Sequence, residues 1–325
     1  MNLESYVPTI DLRSQQSNSL ELQAQAIRHA CEETGFFAVS DHGVSTTVMG
    51  DCLKAAHLFF KQPIKEKNKV RQSSPESPYG FIPMAQETLG RSRGVETPPD
   101  LKESFSIGPS VRARPPKNSE EAIFAATPNR WPQIPRNFRK SFEIYYQEMN
   151  SLSNKLMYLF AMALNLPKDF FLPYIGDPIS ALRANHYPAI SFPHLKGQLR
   201  AGEHSDYGTL TILMQDSSDE GLEICNRDGI WIPVAIKAPK LIINIGDLMQ
   251  RWTNNRWISS LHRVVVPSGN LPQTNRRISI AYFHQPNWDA VIRCIPSCIN
   301  HNEKPFYLPI RSGTYLMRKF RSTTL

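Results

Sequence analysis

After Pro178 the chain breaks into short stretches in which apolar and polar residues alternate, at 181–187, 199–206, 209–214, 222–225, 231–236, 240–245, 257–266 and 277–284. Alternation with a period of two fits strands that bury one face. Strands this short and this closely spaced, separated by turns such as Asp228-Gly229, predict a sandwich or a barrel for the second half of the chain.

The first half follows a different pattern. Residues 19–34 read as a helix with Asn18 near its start and Gly35 as its stop, leading into an apolar strand from Phe36 to Ser40. A second helix follows Ser45. Its apolar stripe is Met49, Cys52, Leu53, Ala56, Phe59 and Phe60, which makes the adjacent His57 a packing or rim residue. From Val70 to Pro135 the chain is rich in Pro, Ser, Arg and Glu and reads as long loops. Phe138, Phe142, Tyr145, Met149, Leu152, Leu156, Leu159 and Ala163 then recur in steps of four and three, the stripe of one long helix ending before Pro167. A coiled-coil dimer produces the same pattern, but the charged flanks of a zipper are sparse and a strand-rich half follows, so this helix is expected to back a sheet.

Composition narrows the class. At 325 residues and 41% hydrophobic content, one large β-rich domain with a helical annex accommodates the chain. No run of eighteen apolar residues occurs, so no membrane span is expected, and the amino terminus carries Glu4 where a secretory signal would be basic; a cytoplasmic protein is expected. The five cysteines form no paired C-x-x-C clusters and are expected to be reduced. The net charge of +8, from 37 basic and 29 acidic residues, is mostly scattered, and the basic run from Lys61 to Arg71 lacks stacking aromatics, so nucleic acid is not the expected partner.

The chemistry-bearing pattern is His204-Ser205-Asp206, then His262, then Arg277-Ile278-Ser279. Side chains two apart on a strand point to one side, so His204 and Asp206 are expected to converge while Ser205 points away. His262 sits in its own β-branched segment and meets the other two only on folding. Two imidazoles and a carboxylate can hold one face of a ferrous ion and leave the opposite positions open for oxygen and a chelating co-substrate. Arg277 offers a planar, permanently charged fork for a carboxylate, with Ser279 on the same strand face; neighbouring Arg276 has no serine two positions on and suits solvent. Arg183, Asn185 and Tyr187 share another strand face, and His186 points the other way.

These residues, with Val7-Pro8-Thr9-Ile10-Asp11-Leu12, Thr34-Gly35-Phe36-Phe37-Ala38-Val39, Asp41-His42-Gly43-Val44, Gly202–Gly208 and Asn244-Ile245-Gly246-Asp247, resemble the non-haem iron(II) and 2-oxoglutarate dependent dioxygenases of the isopenicillin-N-synthase-like superfamily over nearly the whole length. Fungal members look closest, including the hydroxylase that oxidises the thymine methyl group and oxygenases of aromatic metabolites. The resemblance implies a mainly β fold with a helical annex, a double-stranded β-helix (jelly-roll) core backed by the long helix. An amino-terminal α/β region (1–135) and the catalytic core (136–325) would form one integrated unit.

It further implies Fe(II), 2-oxoglutarate and O2 as cofactors, and His204, Asp206 and His262 as metal ligands and catalytic residues. Arg277 and Ser279, helped by Tyr187 and Asn185, would bind the co-substrate. By similarity with the thymine-type hydroxylase, Arg183, Tyr207 and Phe283 would face a small planar substrate bearing acidic or carbonyl oxygens. The segments Tyr79-Gly80-Phe81 and Asp100–Gly108 resemble ones near the active-site mouth, with Lys102 and Glu103 read as structural. The expected reaction is hydroxylation at a C–H or methyl group of an aromatic molecule in fungal secondary metabolism, with no protein partner required. Desaturation, ring expansion, and an oxidase that uses iron and oxygen without 2-oxoglutarate remain open with the same ligands, and a non-catalytic nucleic-acid-binding module is the alternative of a different class. The spacer containing Pro267–Pro272 is longer than in many plant members.

Overall fold

The computed structural model describes residues 6–13, 19–189, 195–216, 221–236, 238–266 and 276–324. The strands are β1 (Thr9–Asp11), β2 (Phe36–Ser40), β3 (Gly80–Ile82), β4 (Glu103–Ile107), β5 (Ala181–Tyr187), β6 (Ala201–His204), β7 (Leu210–Gln215), β8 (Leu222–Cys225), β9 (Trp231–Pro233), β10 (Leu241–Ile245), β11 (His262–Val264), β12 (Arg277–His284), β13 (Val291–Ile292) and β14 (Ile310–Arg311). Eight of them form one sheet in the order β1-β2-β10-β7-β12-β5-β4-β3, four a smaller sheet in the order β6-β11-β8-β9, and the last two a short pair. Only β1 and β2 run parallel among the paired strands of the large sheet. The large sheet takes strands from both halves of the sequence, so the amino-terminal region extends the sheet that carries β5, β7, β10 and β12.

The four longest helices are α1 (Ser19–Glu33), α2 (Thr46–Phe60), α3 (Phe138–Ala163) and α4 (Ser312–Thr323). Every position of the α3 stripe is buried, against α1 and α2 on one side and against β12 and β7 on the other. A partner within the chain therefore accounts for the apolar face that a zipper would also need. At the amino-terminal end of α3, Phe138 stacks on Phe142 at 4.1 Å, and Phe105 of β4 meets both rings edge-on.

Strand periodicity gives the large sheet two different faces. On β12, Ile278, Ile280 and Tyr282 enter the main core with α3, while Arg277, Ser279, Ala281 and Phe283 line a cavity on the other side. On β5, Leu182 and Ala184 belong to the core and Ala181, Arg183, Asn185 and Tyr187 to the cavity; on β7, Leu210, Ile212 and Met214 face the core while Thr211 and Leu213 face the cavity. Ala201, Leu222 and Val264 of the smaller sheet complete the cavity wall, and with Ile224, Phe36, Tyr187 and Ile242 they form a second apolar cluster. One face of the sheet packs into the core and the other faces the cavity.

Several elements depart from the sequence-based expectation. The stretch 70–135 is not all loop, because β3 and β4 lie in it and join the large sheet. In β4, Phe105 and Ile107 enter the core, Glu103 pairs with Lys67 and His186, and Ser106 faces the cavity, so a strand buried on both sides carries a polar composition that reads as loop. The segment 199–206 is strand only as far as His204. The segment 257–266 is strand only from His262 to Val264, because Trp257 packs against Phe160 in the helix-side core and Ser259 and Ser260 bond to Gln250, Asp247 and Thr34 instead of a ladder. The Asn18 helix start and the 267–275 spacer lie outside the described residues.

Phe142 belongs to the core and not to the cavity wall. Its replacement by Ala is expected to lower the unfolding free energy by about 3–5 kcal/mol, measured by urea denaturation, with metal binding to the folded protein unchanged.

Candidate active site

His204 is the last residue of β6, and antiparallel pairing places His262, the first residue of β11, directly across from it. Their ring centroids lie 4.3 Å apart. Asp206 follows two residues beyond the end of the strand, where the backbone has left the ladder and its carbonyl accepts the Asp247 N–H at 2.7 Å. The expectation that His204 and Asp206 converge by strand alternation is thus corrected: the turn Ser205–Gly208 brings the carboxylate round. That turn needs Gly208 and Gly246, since a Cβ on Gly246 would lie 2.4 Å from the Gly208 carbonyl oxygen and one on Gly208 2.4 Å from that of His284. One ligand atom from each of His204, Asp206 and His262 lies within 4.8 Å of the others, and no other such trio occurs among the described residues.

Each of the three side chains has its second polar atom tied back into the protein. The His204 Nδ1–H donates to the Gly202 carbonyl at 2.7 Å and the His262 Nδ1–H to that of Ser260 at 3.2 Å, which leaves both Nε2 lone pairs free. Asp206 Oδ2 accepts from Thr211 Oγ1 at 2.6 Å and Asn244 Nδ2 at 2.7 Å, while Oδ1 faces His262 Nε2 at 3.8 Å. Burial, reinforced by neighbouring His262, pushes the His204 pKa down to about 3 and keeps the imidazole neutral. Burial opposes ionisation of Asp206, but the facing His262 and His204 and the donors Asn244 and Thr211 outweigh it and hold the carboxyl below its ordinary range. Two imidazole Nε2 atoms and one carboxylate form a donor set that fits a divalent ion.

Arg277 lies on the same cavity wall, 1% exposed, with its guanidinium 5.4 Å from the centre of the Tyr187 ring. Burial pushes its pKa down more than Tyr187 and Asp216 restore it. Nη2 donates to Gln215 Oε1, whereas Nε and Nη1 are buried with no hydrogen-bond partner among the described residues. Buried unsatisfied donors on a cation are costly, so the arrangement calls for a carboxylate in the cavity. Ser279 lies two residues along the same face, and Asn185, whose Oδ1 is also buried without a partner, pairs with it across β5–β12. Arg276 is exposed, as expected of the solvent-facing neighbour.

The chain is similar to known proteins over most of its length. Residues 178–286 match the 2OG-Fe(II) oxygenase superfamily, and residues 7–134 match the amino-terminal region described as non-haem dioxygenase in morphine synthesis. The 2-oxoglutarate-dependent dioxygenase gloF of Glarea lozoyensis is 32% identical over 92% of this chain and 94% of its own. The chain belongs to the 2OG-Fe(II) oxygenase superfamily. The proline hydroxylase buaE of Petromyces alliaceus is 33% identical over 88% of each chain. Among solved structures, the full-length thymine-7-hydroxylase of Neurospora crassa in complex with alpha-KG superposes with a TM-score of 0.83 at 30% identity, covering 97% of this chain and 95% of that one. The complex of the same enzyme with alpha-KG and thymine gives 0.83 at 28% identity. As a member of this superfamily the protein is an oxidoreductase, a dioxygenase that works with iron(II) and 2-oxoglutarate. No helix among the described residues is long and apolar enough to cross a membrane.

Arg183, Tyr207 and Phe283 all line the oxygenase cavity, whose volume is about 170 Å³. Arg183 is not a free charge there: its Nη1 donates to Glu87 Oε1 and its Nε to Ser106 Oγ, each at 2.8 Å. His186 faces away, bonded to Glu103 and stacked on Phe60. Glu103 is likewise outside the cavity, whereas Lys102 reaches its wall together with Glu87. Leu316, Phe320 and Thr323 of α4 also line the cavity, a helix that sequence reasoning missed. Their spacing of four and three is the available signal, masked by the basic residues between them.

Thr211 and Asn244 orient the one carboxylate of the triad from outside it. Thr211→Val or Asn244→Leu is expected to weaken iron(II) binding about 10–100-fold, as read by anaerobic metal titration, without unfolding the protein.

Proposed function

We propose that the protein hydroxylates a C–H or methyl group of a small aromatic molecule, with His204, Asp206 and His262 as the iron ligands and Arg277 and Ser279 as the anchor for the distal carboxylate of 2-oxoglutarate. The observation that carries this reading is the pair of Arg277 donors with no partner among the described residues, in the cavity that the triad also lines. The two sheets on either side of that cavity are read as the two halves of a double-stranded β-helix, the catalytic core 136–325, with the amino-terminal region 1–135 integrated through β1 to β4.

When bound, iron(II) and 2-oxoglutarate use O2 to supply an oxidant that removes a hydrogen atom from a nearby C–H bond. The residues of the chain bind, orient and shield. His204, Asp206 and His262 would hold the ion through three ligand atoms, and co-substrate and oxygen would take its remaining positions. Tyr187 lies against the Arg277 guanidinium and Asn185 lines the same cavity, where its amide nitrogen would donate to an oxygen of the co-substrate, so both help to place it. Arg183, Tyr207 and Phe283 are the substrate contacts of this reading, and the apolar wall completed by Leu316 and Phe320 keeps water from the reacting atoms. The fungal relatives support a place in secondary metabolism.

Succinate release from 2-oxoglutarate in the presence of iron(II) and oxygen is the direct test. Arg277→Leu is expected to raise the KM for 2-oxoglutarate about 30-fold or more, the equivalent of roughly 2–5 kcal/mol for losing one partner of a buried charge pair, while iron affinity stays at its original value. Turnover that consumes oxygen without forming succinate would replace this reading with an oxidase that does not use 2-oxoglutarate.

A further inference from the structure

We propose that Glu87 sets the charge of the substrate: by holding Arg183 in a closed ion pair it reserves the cavity for an uncharged aromatic ring bearing an amide or carbonyl group and turns carboxylates away. This rests on the reading of the cavity as the substrate pocket of the oxygenase.

An arginine standing alone in an aromatic-walled cavity is a carboxylate receptor, because its planar fork matches two oxygens at once. Here the fork is already engaged. Nη1 donates to Glu87 Oε1 and Nε to Ser106 Oγ. The other Glu87 oxygen accepts from Lys102 Nζ at 2.7 Å, Lys102 lies 3.3 Å from Asp100 Oδ2, and Asp100 Oδ1 accepts the Gly202 N–H at 3.0 Å. Two cations and two anions thus form a buried chain with no net charge; the Glu87 side chain is 5% exposed and that of Lys102 3%. Despite burial, Arg183 and Lys102 hold the Glu87 carboxyl down to about 2, so the partner of Arg183 stays ionised, while burial pushes the Asp100 carboxyl up from its ordinary value.

A carboxylate entering this cavity either displaces Glu87 from Arg183, leaving one buried anion unpaired, or stays unpaired itself. A neutral ligand meets neither penalty. Arg183 Nη2, which has no partner among the described residues, remains to donate to a carbonyl oxygen, and Tyr79, Phe124, Phe283 and Phe320 supply walls for a ring. From the sequence alone Arg183 is a receptor for acidic or carbonyl oxygens alike; the ion pair with Glu87 selects the second.

The test uses the full chain loaded with manganese(II) and 2-oxoglutarate, and two matched probe pairs: benzamide with benzoate, and indole-3-acetamide with indole-3-acetate. Binding is read by NMR relaxation of probe protons near the manganese. The native protein is expected to bind each amide about tenfold or more tighter than its acid. Glu87→Gln, which leaves one net positive charge, reverses the order; Arg183→Gln, which leaves one net negative charge, widens the original preference. The double variant is neutral again and restores the amide preference, so the prediction survives even if one single variant fails to fold, which thermal melting detects. Equal or tighter binding of the acids by the native protein, no probe relaxation with either pair, or an unchanged ratio in a folded Glu87→Gln protein overturns the proposal. Affinity for 2-oxoglutarate is measured separately: its absence refutes the oxygenase reading of the site, whereas normal affinity without the amide preference refutes only the role of Glu87.

Discussion

The antiparallel register that sets His262 opposite His204 is the constraint on which the rest of the site depends. Two strands from segments far apart in the chain are held by a short ladder that sets His262 opposite His204 and, past a bulge, Val264 opposite Ala201. A slip would remove His262 from the triad and expose Val264, which is buried in the apolar cluster shared by the two sheets. Packing and metal geometry therefore select the same register. Asp206 is fixed by different means, through its backbone carbonyl to Asp247 and its side chain to Thr211 on β7 and Asn244 on β10. Those two strands belong to the large sheet, so the carboxylate ties the smaller sheet's two histidines to the larger one.

The large sheet can carry a polar inner face because its outer face supplies the hydrophobic stabilisation. Ile278, Ile280, Tyr282, Leu210, Ile212 and Met214 are all buried against the α3 side, and the residues alternating with them include Arg277, Ser279 and Thr211. Each polar group on the inner face is then either satisfied, as Thr211 is by Asp206, or left with an open donor as Arg277 is. In a buried site the few groups left open mark where a ligand supplies the missing partner.

The sequence made the two-faced strands legible, because their period of two is local information. β5 and β12 span the residues expected of them, and the α3 stripe is buried in full. Arg277 and Ser279 fall on one face for the same local reason. What the sequence did not disclose depends on tertiary context. Nothing local shows that the ladder stops at His204 and that Asp206 is brought in by a turn. β4 is hidden because its polar residues find partners, Lys67 and His186 for Glu103, that lie far away in the chain. The pairing of Arg183 with Glu87, 96 residues apart, is equally invisible, and it changes what the arginine can do.

The helix α4 brings the same lesson to the edge of the cavity. Twelve residues are too few for an isolated helix to be stable in water, so its order comes from docking. Part of that docking is apolar, through Leu316 and Phe320, but a single carboxylate also holds it. Asp247 accepts from Tyr315 Oη at 2.7 Å, pairs with Lys319 at 3.2 Å, and takes Ser259 Oγ at 2.8 Å on its other oxygen. Hydrogen bonds to a charged group contribute about 1.5–3 kcal/mol each. The backbone N–H of that same residue holds the Asp206 carbonyl. The helix that lines the cavity is therefore anchored on the side chain of the same residue whose backbone N–H holds the turn carrying Asp206.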